Sequence, residues 1–373
     1  MVVGSGSVRA GSLRAVWDVD LRKAIQGHGV VHDPDLPVWS LTFSPDGSQL
    51  AVVADQWLLG TKTTRAPYYD IDSGLFIIQA EHPAQSVRWY DDLLDRDRVQ
   101  WSPGGALIFA AKTVIRLADG KRCGIPPAYA AAEGGFLSAD KLAFDITLVP
   151  SASAKGDLLG SFGADCGLQE KWLVPGMWSV SDVSADRGLV LVNSKTHAPG
   201  EVVIVDPATK RELHRWPTTD SWEGWTVQLM AGAVFADSGK AICCGSEAET
   251  KKLPVSCWDV DTGEKIADAP NVRGGNPIEA AAQASRIVVS DYSRVRESLF
   301  SYEFGEKLKR MVVWDFRSGE EIASWHPGYQ AYNDLGPVPP KHSKDLCPFA
   351  ISPDGQYIAE GCNGVVRLYG IQP

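Results

Sequence analysis

Apolar and polar positions alternate along most of this chain in short runs, and the runs come in pairs joined by tight turns. The clearest pair begins at Leu41-Thr42-Phe43, breaks at Ser44-Pro45-Asp46-Gly47 and resumes at Leu50-Ala51. The same order returns at Trp101-Ser102-Pro103-Gly104-Gly105 before Leu107-Ile108, and at Ile351-Ser352-Pro353-Asp354-Gly355 before Tyr357-Ile358-Ala359. Weaker copies centre on Asp140, Asp186, Asp237 and Ser285. A period of two over such runs marks a half-buried strand. Proline presets φ at the first corner, Asp tolerates the second and Gly takes positive φ, so each copy predicts an antiparallel hairpin. A second hairpin alternates with the first. It is read at Val16-Trp17-Asp18, at 69–74, at Ile204-Val205-Asp206, at 257–263 and at 313–319, with degenerate forms at 115–120 and 160–162.

Two hairpins make a four-stranded sheet, strands a to d, that cannot cover its own apolar faces. Such units stack radially about an axis. The expected fold is therefore all-β, a β-propeller of four-stranded antiparallel blades forming one domain over residues 1–373. The a-strands are expected near residues 41, 99, 136, 181, 233, 281 and 349. An extra c-strand at 13–19 makes residues 1–26 a partial blade, so eight blades are preferred to seven, with incomplete terminal blades and an upstream stretch missing. Gly27-His28, the 38–47 run and the Val-Trp-Asp strand ends resemble the WD-repeat family across nearly the whole chain. That resemblance implies the fold and a binding role of unspecified kind. Most repeats here lack the family's Gly-His dipeptide, which shifts the burden of rigidity to packing. A quinoprotein-like propeller is the runner-up, from Arg317-Ser318-Gly319 followed by Trp325.

In this topology the a–b and c–d turns share one face, and the b–c and d–a connections share the other. The long connections, at 26–38, 55–67, 79–98, 193–200, 216–230, 245–254, 291–311 and 326–347, all fall in the second class. Long loops are usually functional or disordered, and their Trp, Tyr and Arg residues are the types that anchor interfaces. The expected binding residues are Trp57, Trp89, Tyr90, Trp222, Trp225, Tyr292, Arg294, Arg296, Tyr329 and Tyr332. For any one of them, pinning a loop to the rim is the plainer role.

Charge narrows the partners. Lys+Arg 36 against Asp+Glu 46 gives a net charge of −10, which disfavours nucleic acid and anionic membranes and favours a neutral or basic protein or peptide. No apolar run is long enough to span a bilayer, and the first residues do not form a Sec-type leader. Chemistry-bearing motifs are scarce. His28 and His32 stand four apart beside Asp33 and Asp35, but Pro34 and Pro37 break any helix that would bring both rings to one metal. The Asp91-Asp92, Asp95, Asp97 run lacks calcium-loop spacing and reads as a solvated loop. No nucleophile elbow, phosphate loop, His-Glu-x-x-His or Cys-x-x-Cys occurs, so no cofactor is expected. The preferred reading is a non-catalytic protein- or peptide-binding scaffold. The alternatives are a channel-mouth enzyme using converging carboxylates with His82, His197 or His342, and a sensory or scaffold segment of a larger protein.

Seven cysteines show no framework spacing. If Ile351 faces Ile358 across its turn, equal steps outward bring Cys347 opposite Cys362, with Cβ atoms ~4.5–5.5 Å apart. Two buried thiols in a cytoplasmic protein are expected there, rather than a disulfide.

Overall fold

A computed structural model describes residues 12–24, 30–31, 36–58, 72–83, 87–93, 99–110, 113–124, 129–138, 141–148, 158–163, 165, 167–173, 177–194, 201–217, 233–244, 255–269, 279–296, 304–333 and 342–372. The Ser-Pro-Asp-Gly turns form as their chemistry dictates. Gly47 N–H donates to Ser44 O at 2.8 Å with φ +73°, while Ser44 Oγ donates to Asp46 Oδ1 at 2.6 Å and accepts from Gln49 N at 2.9 Å. Gly105 and Gly355 close their turns in the same way. In the c–d turns an aspartate carboxylate caps the loop: Asp259 accepts from the amides of Asp261 and Thr262, and Asp315 from those of Arg317 and Ser318.

Among the described residues, these hairpins assemble into six four-stranded antiparallel sheets and one five-stranded sheet, and the fold is a β-propeller. The a-strands are Val38–Phe43, Gln100–Trp101, Tyr129–Phe136, Met177–Ser184, Ala233–Ala236, Glu279–Ala280 and Phe349–Ile351. They touch one another in chain order, and the last touches the first. The third ends at Phe136, where the sequence pattern placed a beginning.

Each sheet is buried on both faces, so the central strands read as nearly continuous apolar runs. In Gln49–Leu58, Leu50, Val52 and Ala54 face a core shared with the C-terminal blade, whereas Ala51 and Val53 face Trp101, Ile108 and Ile115 of the next blade. This period-two division is what forces sheets to stand side by side.

The N-terminal strand departs from expectation. Leu13–Asp20 forms no partial blade of its own; it pairs antiparallel with Val365–Ile371 as the outer strand of the C-terminal sheet. Its Val-Trp-Asp ending imitates a c-strand, but the pairing edge it needs lies at the other end of the chain. Trp17 Nε1 donates to Ala80 O at 2.8 Å, Leu21 N donates to Gly364 O at 2.8 Å, and Leu21 is completely buried. The pairing covers a sheet edge that would otherwise be open.

Two connections expected as loops are ordered hairpins. Arg286–Arg296 and Phe304–Asp315 stay paired out to Arg296 opposite Phe304, well past the short a- and d-strands beside them. The overhang from Asp291 onward is an arm of about 20 Å at ~3.4 Å per residue. Tyr329–Asn333 pairs with His342–Leu346 as a separate two-stranded insert between the last two blades. Charged residues along both masked the alternation that would have announced strands.

Candidate interface and axial cavity

Because the chain reverses at every strand, the arm and the insert lie on the b–c and d–a side of the ring, opposite the Ser-Pro-Asp-Gly turns. Of the residues expected to bind, Tyr292, Arg294 and Arg296 lie on the arm and Tyr329 and Tyr332 on the insert. Trp57 sits at the overhanging end of Gln49–Leu58, paired with Val31. Trp89 and Tyr90 are not in a loop: Arg88–Leu93 is the d-strand of its blade. Tyr90 is half-buried, its hydroxyl donates to Leu117 O at 3.4 Å, and its ring lies against Gly120 of the next blade. It is a blade clip rather than an exposed anchor. Trp222, Trp225, His28 and His32 lie outside the described residues, as do Asp95 and Asp97. Asp91 and Asp92 lie on that same d-strand. Among the described residues, no group of three or more His, Cys, Asp or Glu is placed to hold a metal ion.

Two anchors set the base of these projections. At the arm, Arg310 bonds to Asp291 at 3.3 Å and to both carboxylate oxygens of Glu321 in the neighbouring d-strand. Asp291 is only 4% exposed, so the pair is poorly screened and fixes the direction in which the arm leaves the blade. At the insert, Cys347 is bonded to Cys362 of the C-terminal blade. Gly328 at the insert's other root donates its N–H to Glu360 Oε1 at 2.7 Å, and its carbonyl accepts from Cys347 N at 3.1 Å. A Cβ at Gly328 would lie 2.6 Å from Cys362 Sγ, so only glycine fits against the bridge. Burial pushes the Glu360 carboxyl above its usual range, against the opposing pull of the Gly328 amide and Arg367.

The register expected for Cys347 and Cys362 is present, with Ile351 opposite Ile358 and Phe349 opposite Glu360, but the expectation of thiols is overturned. Cys243 and Cys257, cross-strand partners in adjoining strands, form a second disulfide, and Cys123 is also disulfide-bonded. Sequence reasoning missed the second bridge because the 245–254 connection carries no turn signature from which to count. Burial pushes the Cys244 thiol up to about 12, which leaves it unreactive at neutral pH.

Blades are clipped to one another by hydrogen bonds between neighbouring a-strands. Ser40 Oγ accepts from Val99 N, Thr42 O accepts from Trp101 Nε1, and Asp182 Oδ2 accepts from Phe235 N. On the turn face, Arg187 reaches Asp261 at 2.5 Å and Arg317 reaches Asp237 at 2.6 Å, each joining an a–b turn to a c–d turn of the neighbouring blade. Around the axis the a-strands leave a cavity of about 360 Å³ that reaches the a–b turns at Pro45, Pro103 and Pro353.

No family model matches the chain, and no curated protein matches it. Solved structures do. A chain of the mitotic checkpoint complex aligns over 100% of this chain and 96% of its own, with TM-score 0.57 and 10% identity. The RRP9 WD40 repeats align over 97% and 100%, with TM-score 0.56 and 10% identity. The fold is that of the WD40-repeat propellers. Hydrazine synthase of Kuenenia stuttgartiensis also aligns, over 92% and 98%, with TM-score 0.53 and 13% identity. At such identities the likeness carries the WD40 architecture alone, and the quinoprotein-like reading is not needed to account for it.

Proposed function

We propose that this WD40-type propeller is a non-catalytic platform that binds a protein or peptide partner across the b–c and d–a face. The observation that carries the reading is the Asp291–Arg310 arm, with its base locked by a nearly buried ion pair. A protruding hairpin held at a set angle gains nothing for blade stability, whereas a pre-organised arm lowers the ordering cost of association. The Tyr329–Leu346 insert, stapled through Cys347, supports the same reading. Tyr292, Arg294, Arg296, Tyr329 and Tyr332 are the proposed anchors in these two elements, with Trp222 and Trp225 of the 216–230 segment.

The ring itself is proposed to have seven blades, not eight. The closed sequence of a-strand contacts and the terminal pairing of Leu13–Asp20 support that count. The compartment follows from the cysteines. At least five of the seven are in disulfides, which persist in oxidising surroundings, so the protein is proposed to work outside the reducing cytoplasm.

The test replaces residues 291–309 by a two-residue Asn-Gly turn and, separately, converts Trp222, Trp225, Tyr329 and Tyr332 to alanine. Cross-linking in the native host followed by affinity purification compares each with a variant altered only in the Ser-Pro-Asp-Gly turns. The reading expects partners lost from the first two and kept by the third. Retention of every partner by both would sink it.

A further inference from the structure

The Tyr329–Leu346 insert pairs only with itself: among the described residues neither of its strands enters the sheet on either side. A two-stranded ribbon alone is marginally stable in water, so its order depends on how its two roots are fastened. Both roots meet the C-terminal blade at one spot. Gly328 O accepts from Cys347 N and closes the ribbon at its base, Gly328 N donates to Glu360 Oε1, and Cys347 is bonded to Cys362. Glu360 and Cys362 stand two apart on one strand and so share a face. The point that a Gly328 Cβ would occupy is 2.6 Å from Cys362 Sγ, 3.3 Å from Cys347 Sγ and 3.7 Å from Glu360 Oε1. Bridge and carboxyl therefore hold the same root residue.

The two bridges sit differently in their sheets. Cys243–Cys257 lies inside a ladder, with Ile242 opposite Trp258 on one side and Cys244 opposite Ser256 on the other, and both cysteines are 0% exposed. Cys347–Cys362 lies beyond Phe349 and Glu360, the outermost pair of its a–b ladder. Cys362 is 6% exposed, ends its strand and runs straight into the Asn363-Gly364 turn. What lies over its sulfur is Gly328, which has no side chain to serve as cover. The ring does not depend on this bond. Phe349–Ile351, Tyr357–Cys362, Val365–Ile371 and Leu13–Asp20 are joined by their own ladders. Opening the bridge removes no strand pair from the propeller, whereas it removes the one cross-link between the ribbon's root and the blade.

We infer that the Cys347–Cys362 bridge is a redox-operated latch: a dithiol reductant opens it and frees the insert while the ring stays closed. A thiolate of the dithiol bonds to Cys362 Sγ as the bond between the two cysteines breaks, and Cys347 leaves as a thiolate. The second sulfur of the dithiol then displaces Cys362 and closes the reductant's own disulfide. Two electrons pass to the protein, and the two protons that the dithiol gives up end on Cys347 and Cys362. Freed from the bridge, the Gly328 root keeps its hydrogen bond to Glu360, and the ribbon frays from its base. The bearing of the latch on partner binding rests on the proposed interface, because Tyr329 and Tyr332 are carried by the insert. The latch itself needs no partner to be observed.

The test treats the intact protein with dithiothreitol at neutral pH, maps the opened cysteines by alkylation and mass spectrometry, and follows amide hydrogen exchange with no partner present. Cys347 and Cys362 should be alkylated while Cys243 and Cys257 stay protected. Exchange in 329–333 and 342–346 should quicken by at least about tenfold, and exchange in the central strand at 50–54 should not change. Cys123 is also disulfide-bonded, and the double variant Cys347→Ser, Cys362→Ser separates its reduction from that of the latch. That variant should show the fast insert without reductant and no further change with it. A bridge that resists dithiothreitol in the folded protein, or one that opens and leaves exchange in the insert unaltered, would overturn the assignment. Equal quickening at 50–54 would make the bridge a brace of the whole ring, and a further rise in the reduced double variant would place the effect elsewhere; either also overturns it. A latch that opens as described while every partner stays bound would count against the insert's place in the proposed interface and not against the latch.

Discussion

Leu21→Ala tests whether the N-terminal strand seals the ring. Leu21, which directly follows the strand and opens the short helix Leu21–Ala24, is 0% exposed and Val19 on the strand 7%, both inside the core that joins the C-terminal blade to the Gln49–Leu58 blade, whereas Val16 on that strand is 52% exposed. Truncating a fully buried leucine removes its transfer free energy and leaves a cavity, about 2–5 kcal/mol together. Truncating Val16 should stay within roughly ±0.5 kcal/mol. The pair of variants therefore separates by at least about 1.5 kcal/mol if the strand is sealed, and not at all if it hangs on the outside. Urea unfolding followed by tryptophan emission gives the two midpoints, and hydrogen exchange across residues 357–371 reports the partner strands directly. Leu21→Ala should lower the midpoint without changing the slope and should raise exchange in 365–371. Equal midpoints for Leu21→Ala and Val16→Ala would refute the closure.

Replacing Cys347 and Cys362 together by alanine opens a loop of sequence separation 15 and should cost about 3 kcal/mol in the chain-entropy account, read as a lower urea midpoint; an unchanged midpoint would deny the bridge in the native protein. Gly328→Ala should cost about 1–3 kcal/mol by crowding Cys362 Sγ, and should cost less in the double-alanine background, so additive losses would contradict the contact. Glu360 has its folded pKa raised above its unfolded value of about 4.5, so its contribution is fully present below that value and is lost as pH rises through the folded pKa. Wild type should therefore lose stability relative to Glu360→Gln as pH rises from about 4.5 toward neutrality, and parallel pH profiles would show that the carboxyl is not held in that environment.

Local chemistry was legible and distant pairing was not. The Ser44–Gly47, Ser102–Gly105 and Ser352–Gly355 turns carry their geometry in four residues, and the register of Cys347 on Cys362 follows from counting outward along one short hairpin. The terminal strand could not be placed the same way, because Leu13–Asp20 finds its partner across nearly the whole chain. Tyr90 was misassigned because an acidic run, Asp91-Asp92, follows it directly and obscures a d-strand.

A ring whose earliest strand docks on its latest has a consequence for biosynthesis. Residues 13–20 leave the ribosome long before 365–371 exist, so the ribbon must wait without its strand partner while the intervening blades are made. Their annealing is thus an event of high contact order, the slow kind of step in which an unclosed sheet edge invites a chaperone or a neighbouring copy. Premature release of the nascent chain should consequently yield associated species rather than a shorter, still monomeric wheel.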